Sequence, residues 1–404
     1  MALFSACSTS DDLTAEEPHV TPPVEDPKEN TLIAEARQDS EVPITLGIGE
    51  GRGNTRAPFD NETDFDTPDG QYIGVFCLAT DYQSSYATNP PIENNWKDDN
   101  TGLSVRMKNV PAKVKDGDVT FLDPATLSDL TPTSQEWYYP MGNWMKYNFY
   151  TYYPWQNEDD DTRTLVINKS QISEKFYTFD GSQDIIWGIA NPPVDDAFSA
   201  KYFIENSSAE IPQFSFKHKL AQFRFFVKAA DGDASTLAGL SAQVTDMYIA
   251  NAIYRLQLIV ADKNNSGNNG ELYWYGTTFD KALKNMSIKA SNTNTNRFPG
   301  TAYPVDGEDA DSEPDWVEEI TDFSNPVGYI MLANPTVRQR FIQHPENPDP
   351  DPSFKYQLVL KLSYTKNAED KEKTITMDMV PPTDGFLEGM IYNIVINIKS
   401  SDLE

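Results

Sequence analysis

The chain has 404 residues, and its 62 acidic against 32 basic side chains give a net charge of −30, a field that repels a nucleic-acid backbone. Its 39% hydrophobic content supports sizeable cores and two or three domains, yet no apolar run approaches the roughly 18 residues of a membrane-spanning helix. Two cysteines and three scattered histidines leave little for a metal site or a histidine-based catalytic centre, and no H-E-x-x-H, G-x-S-x-G or C-x-x-C spacing occurs. The expectation is a protein that is not an enzyme and takes no cofactor.

The chain opens on Phe4-Ser5-Ala6-Cys7, which reads as a lipid-attachment cysteine at the end of an export signal. Residues 8–30 are rich in Ser, Thr, Asp, Glu and Pro; they lack the apolar content for a core and read as a disordered tether. Next comes Val42-Pro43-Ile44-Thr45-Leu46-Gly47-Ile48, where Val42, Ile44, Leu46 and Ile48 share one face of a single short strand. If all four are buried, they contribute about 6–12 kcal/mol as an upper bound. The Gly-rich run 47–53 lacks phosphate-loop spacing and reads as a connector. Thr55-Arg56-Ala57 follows among Gly, Asn, Pro and Asp residues, an exposed setting for cleavage after Arg56, with Arg37 and Arg52 as rival sites. Anchor, strand and cut together describe a strand that a protease makes removable. Its loss bares an apolar groove and unpaired backbone groups.

Short alternating runs dominate the remainder. Residues 72–78 read as a buried strand, with Cys77 as a small core hydrophobe. Ten aromatic residues crowd into 137–155, among them Trp137, Trp144 and Trp155. The block reads either as core strand and corner or as a stacking platform for sugars or for another chain. The acidic clusters 158–161 and 306–319 lack the spacing of a calcium loop and read as solvated loops. A polar, Pro-terminated break at 205–212 suggests a boundary, giving a remnant and tether at 1–40, one domain at 41–208 and another at 209–404. Strands are expected at 214–227 and 247–260, with His218 as a hydrogen-bonded strand residue. A hairpin is expected where Phe354, Tyr356, Leu358, Leu360 and Leu362 meet Ile375, Met377 and Met379, and a last strand where Tyr392, Ile394, Ile396 and Ile398 align. The fold class is all-β, in sandwiches.

Several of these stretches resemble the fimbrillin-like (Mfa-like) lipoproteins of Bacteroidales, which include type V pilus subunits. Val42-Pro43-Ile44-Thr45-Leu46 followed by Thr55-Arg56-Ala57 looks like the family's first strand and maturation site. Tyr147-Asn148-Phe149-Tyr150-Thr151-Tyr152-Tyr153-Pro154 is similar to its FYAYYP segment, and Asp184-Ile185-Ile186-Trp187-Gly188 to its segment of Asp before a hydrophobic pair. Phe216-Lys217-His218-Lys219-Leu220-Ala221 resembles the F-x-H-x-[LM]-A strand, and Gly389-Met390-Ile391-Tyr392-Asn393-Ile394-Val395-Ile396 the closing strand. The resemblance implies two tandem transthyretin-like β-sandwich domains and export as a Cys7-anchored outer-membrane lipoprotein. It further implies cutting by an arginine-specific protease between Arg56 and Ala57, and assembly with other fimbrial subunits by strand exchange in cell-surface adhesion. Stalk subunits of that family carry further strands after the last run. Here Lys399-Ser400-Ser401-Asp402-Leu403-Glu404 follows it, so a tip or accessory subunit is expected. The competing expectation is a surface lipoprotein that never polymerises and binds glycans through 137–155.

Overall fold

The computed structural model describes residues 38–48, 67, 71–81, 94–99, 102–124, 131–141, 146–157, 161–190, 198–206, 208–290, 316–321, 323, 326–335 and 354–403. These are nearly all β, with short helices only, as the alternation predicts. In chain order the first strands are β1 (Asp39–Pro43), β2 (Gly47–Ile48), β3 (Ile73–Asp81), β4 (Val105–Lys115), β5 (Asp118–Phe121), β6 (Tyr138–Pro140) and β7 (Lys146–Tyr153). There follow β8 (Arg163–Ile167), β9 (Gln171–Phe176), β10 (Ile186–Ala190), helix α1 (Ala200–Glu205) and β11 (Gln213–His218). The rest of the chain holds β12 (Ala221–Ala229), helix α2 (Ala234–Gly239), β13 (Gln243–Ile253), β14 (Leu256–Asp262), β15 (Leu272–Trp274) and β16 (Leu283–Ser287). Last come β17 (Lys289–Ala290), β18 (Gly328–Leu332), β19 (Gln357–Lys366), β20 (Glu369–Asp378) and β21 (Ile391–Ile398).

Seven strands close into a barrel in the order β10-β11-β2-β5-β4-β3-β7. β7 sits between β3 and β10 and takes up most of the aromatic block. Its alternation serves two cores. Tyr147, Phe149 and Tyr153 fill the barrel, while Tyr150 and Tyr152 point outward into a second core. β3 divides in the same way: Ile73, Val75, Cys77 and Ala79 face in, and Phe76 and Leu78 face out. Strands buried on both faces read as continuous apolar runs, which is how these two appear in the sequence.

The second core lies among three four-stranded sheets, β17-β18-β12-β21, β16-β13-β19-β20 and β15-β14-β9-β8. The hairpin β19–β20 turns at Asn367-Ala368, both with positive φ (58° and 62°), directly after the Lys366–Glu369 pair. That is the geometry of a two-residue type I′ turn. β20, an edge strand reading Glu-Asp-Lys-Glu-Lys, carries the charge that discourages edge-to-edge pairing.

Three strands depart from the expected pattern. The run 42–48 is not one strand: β1 ends at Pro43, whose ring removes an amide donor, and β2 resumes at Gly47 in a different sheet. The run 214–227 divides at Lys219-Leu220 into β11, in the barrel, and β12, outside it. The run 247–260 divides at Tyr254-Arg255 into β13 and β14, again in different sheets. Pairing also crosses residue 208. β11 completes the barrel beside β10, and β9 pairs with β14 from Leu256↔Phe176 to Asp262↔Gln171.

Candidate functional site

Residues 39–48 form a strap that lies along the barrel and then enters its wall. β1 pairs with β6, with Asp39 opposite Pro140 and Pro43 opposite Tyr138. The Ile44 amide donates to the Trp137 carbonyl at 2.7 Å, and the Ser40 hydroxyl to the Tyr139 carbonyl at 2.7 Å. Arg106 on β4 clamps both strands. Its guanidinium donates to the Tyr138 carbonyl (Nη2, 2.9 Å), to the Gly102 carbonyl (Nη1, 3.2 Å) and to the Asp39 carboxylate. α1 packs against β1, with Tyr202 and Phe203 on the barrel core.

At Gly47 the strap joins the ring. β2 runs parallel to β11 (Gly47↔Gln213, Ile48↔Phe214) and antiparallel to β5 (Gly47↔Asp118). Among the described residues it is the only link between β11 and β5 in the ring order, so two residues close the barrel. Ile44 and Leu46 are buried in its core, while Val42 and Ile48 are half-buried. With two side chains buried and two half-buried, the segment's apolar contribution is about 5–9 kcal/mol as an upper bound. Taking the strap away would leave β11 and β5 with free edges and remove Ile44 and Leu46 from the cluster they share with Phe214.

Trp137 is half-buried, its ring edge-on to Phe121 with centroids 5.1 Å apart, and its carbonyl holds Ile44. Trp155 packs on the second core, edge-on to Tyr72 at 6.4 Å, with Nε1 donating to the Asn109 carbonyl at 3.2 Å. The two rings serve different cores and do not share a platform. Trp144, Cys7, Arg56 and Ala57 lie outside the described residues.

Two stretches that the family resemblance singled out meet in space. His218, at the end of β11, turns Nδ1 to the buried Asp184 carboxylate, whose other oxygen accepts from the Ile185 amide at 2.8 Å. Sequence alone placed His218 in a hydrogen bond but did not name its partner. Arg106 and Asp39 were not singled out either, because a clamp between remote strands leaves no local pattern. Cys77 is fully buried in the barrel, and that burial pushes its thiol well above the usual value despite an opposing pull from Arg106. Among the described residues no group of three His, Cys, Asp or Glu side chains is placed to hold a metal ion, and no helix is long and apolar enough to cross a membrane.

Comparison with solved structures returns candidate cell adhesion proteins. One from Bacteroides uniformis is 12% identical with a TM-score of 0.40, over 89% of this chain and 93% of that one. A second, from Bacteroides eggerthii, is 10% identical with a TM-score of 0.40, covering 89% of this chain and 87% of that one. A third, from Parabacteroides distasonis, is 10% identical with a TM-score of 0.38, covering 89% and 90%. No family model matches the sequence, and no curated protein does.

Proposed function

We propose that this chain is a strand-accepting subunit of a cell-surface fimbrium, acting in adhesion and not in catalysis. The observation that carries the reading is the closure of the barrel by β2, a strand of two residues drawn in by Ile44 and Leu46. A protease cut after Arg56 turns that strap into a separate peptide held by few backbone bonds and a short apolar row. The vacated site offers what an incoming strand needs, two free strand edges over apolar positions. The polypeptide reaches the surface as a lipoprotein anchored through Cys7, and its domains are of the transthyretin-like type, both as the family resemblance implies.

The pairing of β21 supports a receiving role, at the tip or in an accessory position. It is matched to β12 without a break from Gln222↔Ile391 to Ala229↔Ile398, and Ile396 and Ile398 are buried. Donating this strand would break the whole parallel ladder. The glycan-binding alternative requires Trp137, Trp144 and Trp155 on one solvent-facing platform; Trp144 lies outside the described residues, and the packing of Trp137 and Trp155 against separate cores does not favour it.

The test is limited digestion of the folded protein with an arginine-specific protease, followed by a labelled peptide of the sequence Val-Pro-Ile-Thr-Leu-Gly-Ile. One major cut after Arg56, loss of the strap and stable capture of the peptide are expected. Resistance at Arg56, or a cut protein that keeps its strap and ignores the peptide, overturns the reading.

A further inference from the structure

A cluster of cations and tyrosine rings lies where the sheet β15-β14-β9-β8 meets Tyr254 and β16. The register of the sheet sets Gln257 between Tyr273 on β15 and Lys175 on β9. Just beyond the paired residues, the Tyr275 amide donates to the Arg255 carbonyl at 3.2 Å, and the Tyr177 and Tyr275 rings meet edge to face at 5.8 Å. Lys175 Nζ lies 5.9 Å from the Tyr275 ring centre. Arg255 Cζ lies 5.4 Å and Lys284 Nζ 4.9 Å from the ring centre of Tyr254. Three cations and three tyrosine rings, all half-buried, thus form one continuous patch.

Among the described residues Lys175, Arg255 and Lys284 form no ion pair. The acid that acts on Lys284, Asp180, is itself engaged by Ser182 and Lys289. Two buried polar atoms have no hydrogen-bond partner there, Arg255 Nε and Gln257 Oε1, although Gln257 is 1% exposed and its Nε2 donates to the Ser173 hydroxyl at 2.8 Å. Native structures leave few such atoms unsatisfied. At physiological salt the screening length is about 8 Å, so a ligand at this patch responds to these three cations more than to the distant net charge.

We propose that this patch binds an anionic sugar chain. The carboxylates or sulfates of the chain pair with Arg255, Lys284 and Lys175, and its apolar ring faces lie on Tyr177, Tyr254 and Tyr275. A simple anion would use the cations alone; the tyrosine faces fit a ligand that also carries apolar faces. The site includes no residue of the strap and does not rest on the fimbrial reading.

The full chain is titrated calorimetrically with an oligogalacturonate, a heparin oligosaccharide and a neutral cello-oligosaccharide of equal length, with a single-stranded oligonucleotide as a fourth arm. Binding of one or both anionic glycans, weakening as salt rises from about 50 to 500 mM, is expected, and the arm that binds more tightly identifies carboxylate or sulfate as the preferred group. Lys284→Gln and Lys175→Gln should each weaken it about tenfold, the usual loss for one charge-assisted contact, with the melting temperature unchanged. Failure of both anionic glycans to bind, equal binding of the neutral chain, preference for the oligonucleotide, or indifference to both substitutions overturns the proposal.

Discussion

Tyr139 and Tyr147 bury their rings in the barrel core with centroids 6.3 Å apart, but their hydroxyls meet different fates. The Tyr147 hydroxyl donates to the Leu103 carbonyl at 2.8 Å. The Tyr139 hydroxyl is buried without a hydrogen-bond partner among the described residues, and burial pushes its ionisation well above the usual value. Removing an unsatisfied buried hydroxyl relieves a desolvation cost, whereas removing a bonded one leaves a carbonyl wanting. Tyr139→Phe should therefore stabilise the protein by about 1 kcal/mol and Tyr147→Phe destabilise it by about 1 kcal/mol, read from urea midpoints at constant m. Midpoints that move in the same direction would contradict this account. At this scale the sequence was a partial guide. It marked Cys77 as a core residue, but the pairing of His218 with Asp184 depends on two strands brought together by the barrel.

The strap shows what alternation reports about an element and what it conceals. Val42, Ile44, Leu46 and Ile48 do point to the barrel, because side chains alternate whether or not the backbone stays in one ladder. Alternation cannot show that Pro43 ends one pairing and Gly47 begins another. Burial is also uneven along the row, so the energetic cost of truncation should be uneven. Ile44→Ala and Leu46→Ala should each destabilise by about 2–5 kcal/mol, and Val42→Ala by clearly less, measured by chemical denaturation of the uncut protein. Equal losses at positions 42 and 44 would contradict the observed burial. The two divided runs carried a legible sign. The inward positions are Phe214, then Phe223 and Phe225, a change from even to odd numbering across Lys219-Leu220. The reverse change, from odd to even, separates Met247 and Ile249 from Leu256 and Leu258. A shift of phase by one residue turns a strand's other face to the core, and here it marks the passage from one sheet to another.

Across the whole molecule the division at residue 208 does not separate two independent cores. A fragment ending there lacks β11, which bonds both β10 and β2 in the ring, and a fragment beginning there lacks β9, the partner of β14. The barrel's outer face, with Phe76, Tyr152 and Trp187, shares one apolar cluster with Leu256, Leu258 and Trp274. The intact protein should melt in one calorimetric transition, and fragments 41–208 and 209–404 should each lack native tertiary circular dichroism when made alone. Two separable transitions, or a fragment with a native spectrum, would show that the shared sheet contributes little. By itself the sequence determined the all-β class, the inward face of the strap, the hairpin that joins 354–362 to 375–379 and the acidic character, because these follow from alternation, polar turn residues and charge within short windows. Only the tertiary structure decided that two residues close a barrel, that Trp137 and Trp155 serve separate cores, and that three cations gather beside three tyrosines. Each of these depends on which distant strands lie side by side, and strand pairing is a non-local choice that no short window records.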